Sequence, residues 1–240
     1  MKEAYLREAM LLGPEAPEQL QNKHVAVFGI GGVGSYCAEG LARAGIGALT
    51  LVDDDTVGVT NLNRQLIALH STLGRNKAEV MAARIRDIDP DTRVTVIPLR
   101  YQEENKERFF TGAPYDYIVD AIDLVSCKLS LIETARERGI PIISAMGTGN
   151  KLDPTQFRIT DISKTAGCPL ARIMRKELKK RGIFHHTVLY SEELPHRALP
   201  LDNPPPGRRS VPASVSWVPS CAGLMIAGHV VQALLRAKSE

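Results

Sequence analysis

VAVFGIGGVGS, residues 25–35, decides the fold, because a short apolar run enters four glycines within six positions and leaves them into a helix-forming sequence. His24 to Phe28 reads as a buried parallel strand, and Ser35 to about Gly45 as the helix that follows. Glycine at positions 29, 31, 32 and 34 lets the backbone turn sharply and approach a phosphate closely. The free N–H groups and positive dipole end of the helix then attract the anion. A second apolar run, Leu49 to Val52, ends in Asp53, where a carboxylate bonds a ribose hydroxyl in such units. Residues 25–53 therefore predict one βαβ unit holding a ribose and its phosphates.

Outward from that unit the alternation continues. Lys77 to Asp87 and Val125 to Arg138 read as helices, and Arg93 to Pro98, Tyr117 to Ala121 and Pro141 to Ala145 as strands. Strands alternating with helices predict an α/β fold, a Rossmann-like mainly parallel sheet covered on both faces. Beyond Gly147 the pattern changes. Phe157 to Asp161 and Thr187 to Ser191 are strand-like, a basic helix lies between them, and LPLDNPPPGRRS (199–210) reads as a Pro-rich loop. Ser214 to Val218 is expected as a strand, with Ser220 capping a last helix to about Lys238. That helix is apolar, but Pro219, His229 and Gln232 favour a buried core helix over stable membrane insertion.

The 240 residues suffice for one large core, and a single domain spanning 1–240 is expected. Apolar residues at 44% and charged residues at 24% exclude disordered and collagen-like classes. The N-terminus, MKEAYLREAMLLGPE, lacks the continuous apolar core of a cleavable signal, so a cytoplasmic location is expected. Cys37, Cys127, Cys168 and Cys221 are scattered singly, with no CxxC pair, which argues against a structural zinc. Cys37 and Cys221 read as small packing residues. Cys168 precedes Pro169 at the head of the basic helix, where a helix dipole can activate a thiol.

Charge is divided unevenly. Residues 151–240 carry 14 Lys and Arg against 7 Asp and Glu, whereas residues 1–150 carry 16 against 20. Arg172, Arg175, Lys176, Lys179, Lys180 and Arg181 cluster in ARIMRKELKKRG, either as a solvated helix face or as contacts to a nucleic-acid backbone. The C-terminal portion from 151 is accordingly expected to face the substrate.

The polar residues beyond Asp53 select the nucleotide. A hydride-transfer enzyme needs only the glycines, the ribose acid and a proton-transfer group. This chain adds Asn61, Arg64 and Gln65 in TNLNRQ, Lys77 in GRNKAEV, and Asp123 at the strand end VDAID. Arg and Lys neutralise a triphosphate, and an Asp beyond a strand end can hold Mg²⁺, so ATP fits better than NAD.

GIGGVGS, DDDTVGVTNLNRQ, GRNKAEV and VDAID, in that order, resemble the adenylation site of the E1-like superfamily. Within it, LARAGIGALTLVDDDTV, NKAEVMAARIRDIDP, LDPTQFRITDISKT and PLARIMRKELKKRGI most resemble the tRNA threonylcarbamoyladenosine dehydratase branch, and the likeness covers nearly the whole chain. The resemblance implies that Gly29, Gly31, Gly32 and Gly34 carry the phosphates, that Asp53 and neighbouring Asp55 face the ribose side, and that Asn61, Arg64 and Gln65 contact ATP. It implies that Lys77 reaches the α-phosphate and Asp123 places Mg²⁺. It also implies a homodimer in which Arg7 completes the neighbouring subunit's site, giving Arg7, Arg64, Lys77 and Asp123 as the catalytic set.

The implied reaction activates the threonyl carboxylate of N6-threonylcarbamoyladenosine in tRNA as an acyl-adenylate, followed by cyclisation with loss of AMP. The other activity within reach is adenylation of the C-terminal glycine of a ubiquitin-like sulfur carrier, with a sulfur-transfer protein pair as partner. Two departures from the branch are visible. Cys168 stands where an Asp often precedes Pro-Leu, and Ile67 where a His often follows the NRQ motif.

Overall fold

The computed structural model describes residues 2–199 and 212–236. Its centre is a seven-stranded sheet in the order β3-β2-β1-β4-β5-β7-β6. The strands are β1 (His24–Phe28), β2 (Ala48–Val52), β3 (Arg93–Ile97), β4 (Tyr117–Asp120), β5 (Ile142–Ala145), β6 (Phe157–Asp161) and β7 (Thr187–Ser191). Every pairing is parallel except β6 with β7, which run antiparallel at one edge. The helices are α1 (Leu6–Leu12), α2 (Ala16–Gln21), α3 (Gly34–Arg43), α4 (Lys77–Ile88), α5 (Val125–Glu137), α6 (Pro169–Lys180) and α7 (Trp217–Arg236).

Strand β1 shows why both faces are covered. Val25 and Val27 join the core with α3, α4 and α7, whereas alternate residues Ala26 and Phe28 join the core with α5 and α6. A strand buried on both sides has little room for polar side chains, which is why HVAVF and ALTLV read as mainly apolar runs; Thr50 Oγ1, within β2, lies 2.9 Å from His24 Nε2 of β1. The chain leaves β1 toward β2 on one side and returns to β4 on the other. This reversal opens a crevice at the C-terminal ends of β1 and β4, the place where open α/β sheets bind ligands.

The C-terminal segment departs from expectation. Residues 214–218 form no strand; α7 starts at Trp217, and Ser220 lies inside it, donating to Ser216 O at 2.8 Å. Val218, Ala222, Ile226, Val230 and Leu234 are buried at helical spacing, and this amphipathic stripe outweighs the β-branched start. Pro219 is tolerated because it falls in the first turn, where its missing N–H leaves no bond unmade. Helix α7 is long and apolar enough to cross a membrane, but half of its most apolar window is buried inside the protein. A close approach to α3 holds it there, since a Cβ on Gly223 would stand 2.3 Å from Val33 O. The Pro-rich stretch 199–210 and the expected end of the last helix at Lys238 lie outside the described residues, apart from Leu199.

Candidate active site

Gly29 turns the chain out of β1 with φ of 90°, and a Cβ there would stand 2.6 Å from Ala121 O. Only glycine fits this left-handed, crowded position. At Gly34 a Cβ would meet Gly29 O at 1.8 Å, so this glycine serves the close packing of α3 on the turn, and it does not line the cleft. Gly29, Gly31 and Gly32 do line it. The cleft encloses about 1050 Å³ and extends from these glycines past the ends of β2, β4 and β5 to the start of α6.

Asp53, at the end of β2, binds the turn to its own loop. Its Oδ2 accepts from Ile30 N at 2.6 Å and its Oδ1 from Asp55 N at 2.8 Å. Burial pushes the carboxyl above its ordinary pKa, against the pull of the Ile30 N–H and the Lys77 ammonium. Lys77 is the first residue of α4; its side chain is buried and its Nζ lies 2.9 Å from Asp55 Oδ2. Asn76 sets that geometry by accepting from Glu79 N at 3.1 Å as the helix cap and donating to Asp53 O at 3.1 Å. Asn76 is absent from the residues that the motifs single out, although an Asn directly before a helix is a capping signal.

Arg64 lines the cleft with its guanidinium held by Thr60 O at 2.7 Å and Asn63 Oδ1 at 3.0 Å. Gln65 lines it too, and its buried Oε1 has no hydrogen-bond partner among the described residues. A buried acceptor without a partner is costly, so this atom calls for a donor from a ligand or water. Asn61 sits apart from the cleft lining and closes its own loop, accepting from Gly58 N at 3.0 Å. Asp123 is exposed on the cleft wall, and its carboxylate has neither an ion pair nor a hydrogen bond among the described residues. Arg7 is exposed on α1 and does not line the cleft of its own chain.

Several pairings at the site carry no sequence signal. Lys128 of α5 and Asp120 of β4 form an ion pair of 2.9 Å with side chains only 1% and 0% exposed. Asp120 Oδ1 also accepts from Ile122 N at 3.1 Å, so the pair fixes the turn that presents Asp123. Arg100 pairs with Asp54 at 3.0 Å on the cleft wall. Beyond β5, the loop Gly147–Lys151 and the start of α6, including buried Cys168, form the far lobe. Cys168 occupies the cap position of α6 but its side chain makes no capping bond.

Helix α6 divides its basic residues. Arg175 is half-buried and donates to Thr165 O and Oγ1 at 2.7 and 2.6 Å, Lys180 pairs with Glu177, and Arg181 with Glu133 and Glu177. Arg172, Lys176 and Lys179 are exposed without an ion pair among the described residues, and their i, i+4 and i+7 spacing puts them on one stripe.

A glycine turn at the switch point, an acid at the end of β2, and Arg and Lys over the same cleft define a nucleotide-binding protein of the adenylating kind. The chain belongs to the ThiF family, whose model matches residues 5–240. It is 43% identical over 245 residues to the tRNA threonylcarbamoyladenosine dehydratase of Bacillus subtilis, covering 98% of this chain and 96% of that protein. Over 242 residues it is 30% identical to a sulfur carrier protein adenylyltransferase of Thermus thermophilus, covering 98% and 75%. Among solved structures it is similar to the Escherichia coli tRNA N6-threonylcarbamoyladenosine dehydratase in complex with ATP, with a TM-score of 0.88, 36% identity and coverage of 99% and 96%.

Proposed function

We propose that this protein catalyses the ATP-dependent dehydration of N6-threonylcarbamoyladenosine in tRNA to its cyclic form. The observation that carries the reading is the alignment with the Bacillus subtilis dehydratase over nearly the full length of both chains, joined to a cleft in which Asp53, Arg64 and Lys77 meet the glycine turn. A threonyl carboxylate oxygen attacks the α-phosphorus of ATP, and the bond to the β-phosphate breaks with release of pyrophosphate. The carbamoyl group of the same nucleotide then attacks the activated carbonyl, the bond to AMP breaks, and a proton is released. Two anions must approach in the first step, so cationic Arg64 and Lys77 serve by offsetting phosphate charge. Their neighbours hold both in place before ATP arrives. The second step needs no enzyme nucleophile, because attacker and target belong to one nucleotide at high effective molarity.

Asp123 is the residue that would hold Mg²⁺, which supplies charge neutralisation of the phosphates when bound. The exposed stripe Arg172, Lys176 and Lys179 is the proposed contact for the tRNA backbone. The protein works as a cytoplasmic homodimer in which Arg7 completes the partner's site. Supporting this, α1 exposes Met10 at 81% and Leu11 at 86% beside Arg7, an apolar face that a second copy can cover.

Adenylation of a sulfur carrier, with a sulfur-transfer protein pair downstream, is the weaker reading, since the relative so named is the more distant one. ATP–pyrophosphate exchange separates the two. Exchange stimulated by tRNA carrying the modification is expected; exchange stimulated only by a carrier protein would replace the dehydratase reading.

A further inference from the structure

The far lobe of the cleft contains a buried lysine that pairs with no carboxylate among the described residues. Lys151 is 3% exposed and lines the lobe, and its Nζ donates to the backbone O of Glu193. The carboxylate of Glu193 is turned elsewhere: it accepts from Leu152 N, Asp153 N and His196 Nε2 at 2.8–3.2 Å. No carboxylate lies within ion-pair distance of Lys151 among the described residues. An ammonium has three donors, and a buried one is costly unless an anion or several acceptors meet it.

The loop is built to keep Lys151 there. Asn150 adopts φ of 59°, a conformation that non-glycine residues seldom take, and the segment after Pro212 locks it: Asn150 N donates to Ala213 O and Ala213 N to Asn150 Oδ1, each at 2.7 Å. On the other side, a Cβ on Gly147 would stand 3.9 Å from Cys168 Sγ, so the loop lies against the start of α6. Helix α6 has 12 residues, and no side chain caps its first amides. Its positive end therefore adds to the field of Lys151.

We infer that Lys151 and the N-terminal turn of α6 form the subsite for the threonyl carboxylate of the modified nucleotide, in the lobe that shares one cleft with the phosphate turn. This rests on the dehydratase reading. A carboxylate is favoured over a backbone phosphate because Lys151 is too deeply buried for the outside of a folded RNA, whereas a side chain carried on a base can enter the lobe. The same cation that collects the carboxylate also lessens its repulsion from the triphosphate.

The test compares binding of two tRNAs in the presence of AMP, one carrying N6-threonylcarbamoyladenosine and one carrying its threonyl methyl ester. Wild type is expected to bind the acid about tenfold more tightly than the ester, as for loss of a hydrogen bond to a charged group. Lys151→Met is expected to bind both alike, at the affinity of wild type for the ester, with ATP affinity unchanged. Lys151→Gln, which keeps a donor for Glu193 O, is the second variant should Lys151→Met fold poorly, and it too should lose most of the discrimination. Retention of the full acid preference by either folded variant overturns the subsite while leaving the reaction standing. A wild type that binds neither form more tightly than unmodified tRNA overturns the dehydratase reading as well.

Discussion

Asp123 and Gly34 separate chemistry from stability at the level of single residues. Asp123 is exposed and touches no described partner, so Asp123→Asn is expected to leave the melting temperature unchanged while lowering AMP formation roughly 10²-fold or more, the scale for losing one group that meets transition-state charge. AMP release by the purified variant at wild-type rate would remove Asp123 from the site. Gly34→Ala gives the opposite pattern. Its Cβ would collide with Gly29 O, and a backbone atom cannot rotate away, so a loss of about 1–3 kcal/mol is expected in urea unfolding. The glycine motif suggests a phosphate contact at this position; the structure makes it a packing glycine, and spacing alone cannot tell these uses apart.

Two elements carry predictions of their own. In α6 the pairing of Arg175 with Thr165 and of Lys180 and Arg181 with Glu177 leaves Arg172, Lys176 and Lys179 as the stripe available to a nucleic acid. Replacing these three with Glu is expected to weaken tRNA binding while ATP affinity stays constant. The slope of log affinity against log salt should also fall, by about 0.7–0.9 for each phosphate that the stripe no longer neutralises. An unchanged slope would make the stripe an ordinary solvated surface. The basic run is legible in the sequence, but which of its members face outward depends on Thr165 and Glu133, residues outside the run. Between β4 and α5, Lys128→Met leaves Asp120 buried without its cation, and a loss of about 3–5 kcal/mol is expected. Adding Asp120→Asn should recover much of it, and a double variant no more stable than Lys128→Met would deny that unpaired charge is the cause.

Over the whole molecule, stability and assembly respond to pH and to mixing. His186 is buried, with Asp120, Lys128, Arg136 and Asp161 around it, and burial lowers its pKa to about 4. Its ring nitrogen Nε2 lies 2.8 Å from Ser144 Oγ. The unfolded chain takes up a proton near pH 6.5 while the folded one resists until about 4, so this contribution is complete above pH 6.5 and is lost as pH falls toward 4. Its ceiling is about 3 kcal/mol. Urea unfolding from pH 7 to 4 should show His186→Gln less sensitive to acid than wild type, and parallel curves would refute the assignment. If the proposed homodimer shares its sites through Arg7, Arg7→Ala mixed with Asp123→Ala should regain activity, since one site of each heterodimer then has every group. Absence of recovery despite subunit exchange would place Arg7 outside catalysis.

Local order along the chain is enough to establish the α/β alternation, the glycine turn, the acid at the end of β2, and the Lys that opens α4. Each is written in residues close together, where strand period, helix caps and glycine conformations are local properties. The same patterns locate β6, β7 and α6, although they hold no sign that β6 runs antiparallel, because direction is set by how the connecting segment returns. Tertiary structure decides that Trp217 and Val218 open a helix and do not end a strand, because the apolar stripe of that helix finds α3 as its partner. It alone joins Lys128 to Asp120, turns the carboxylate of Glu193 to the amides of Leu152 and Asp153, and gives Lys151 the backbone O of Glu193 in its place. Burial and pairing are properties of neighbours brought together from distant parts of the chain, and a linear pattern holds no record of which distant side chains will meet.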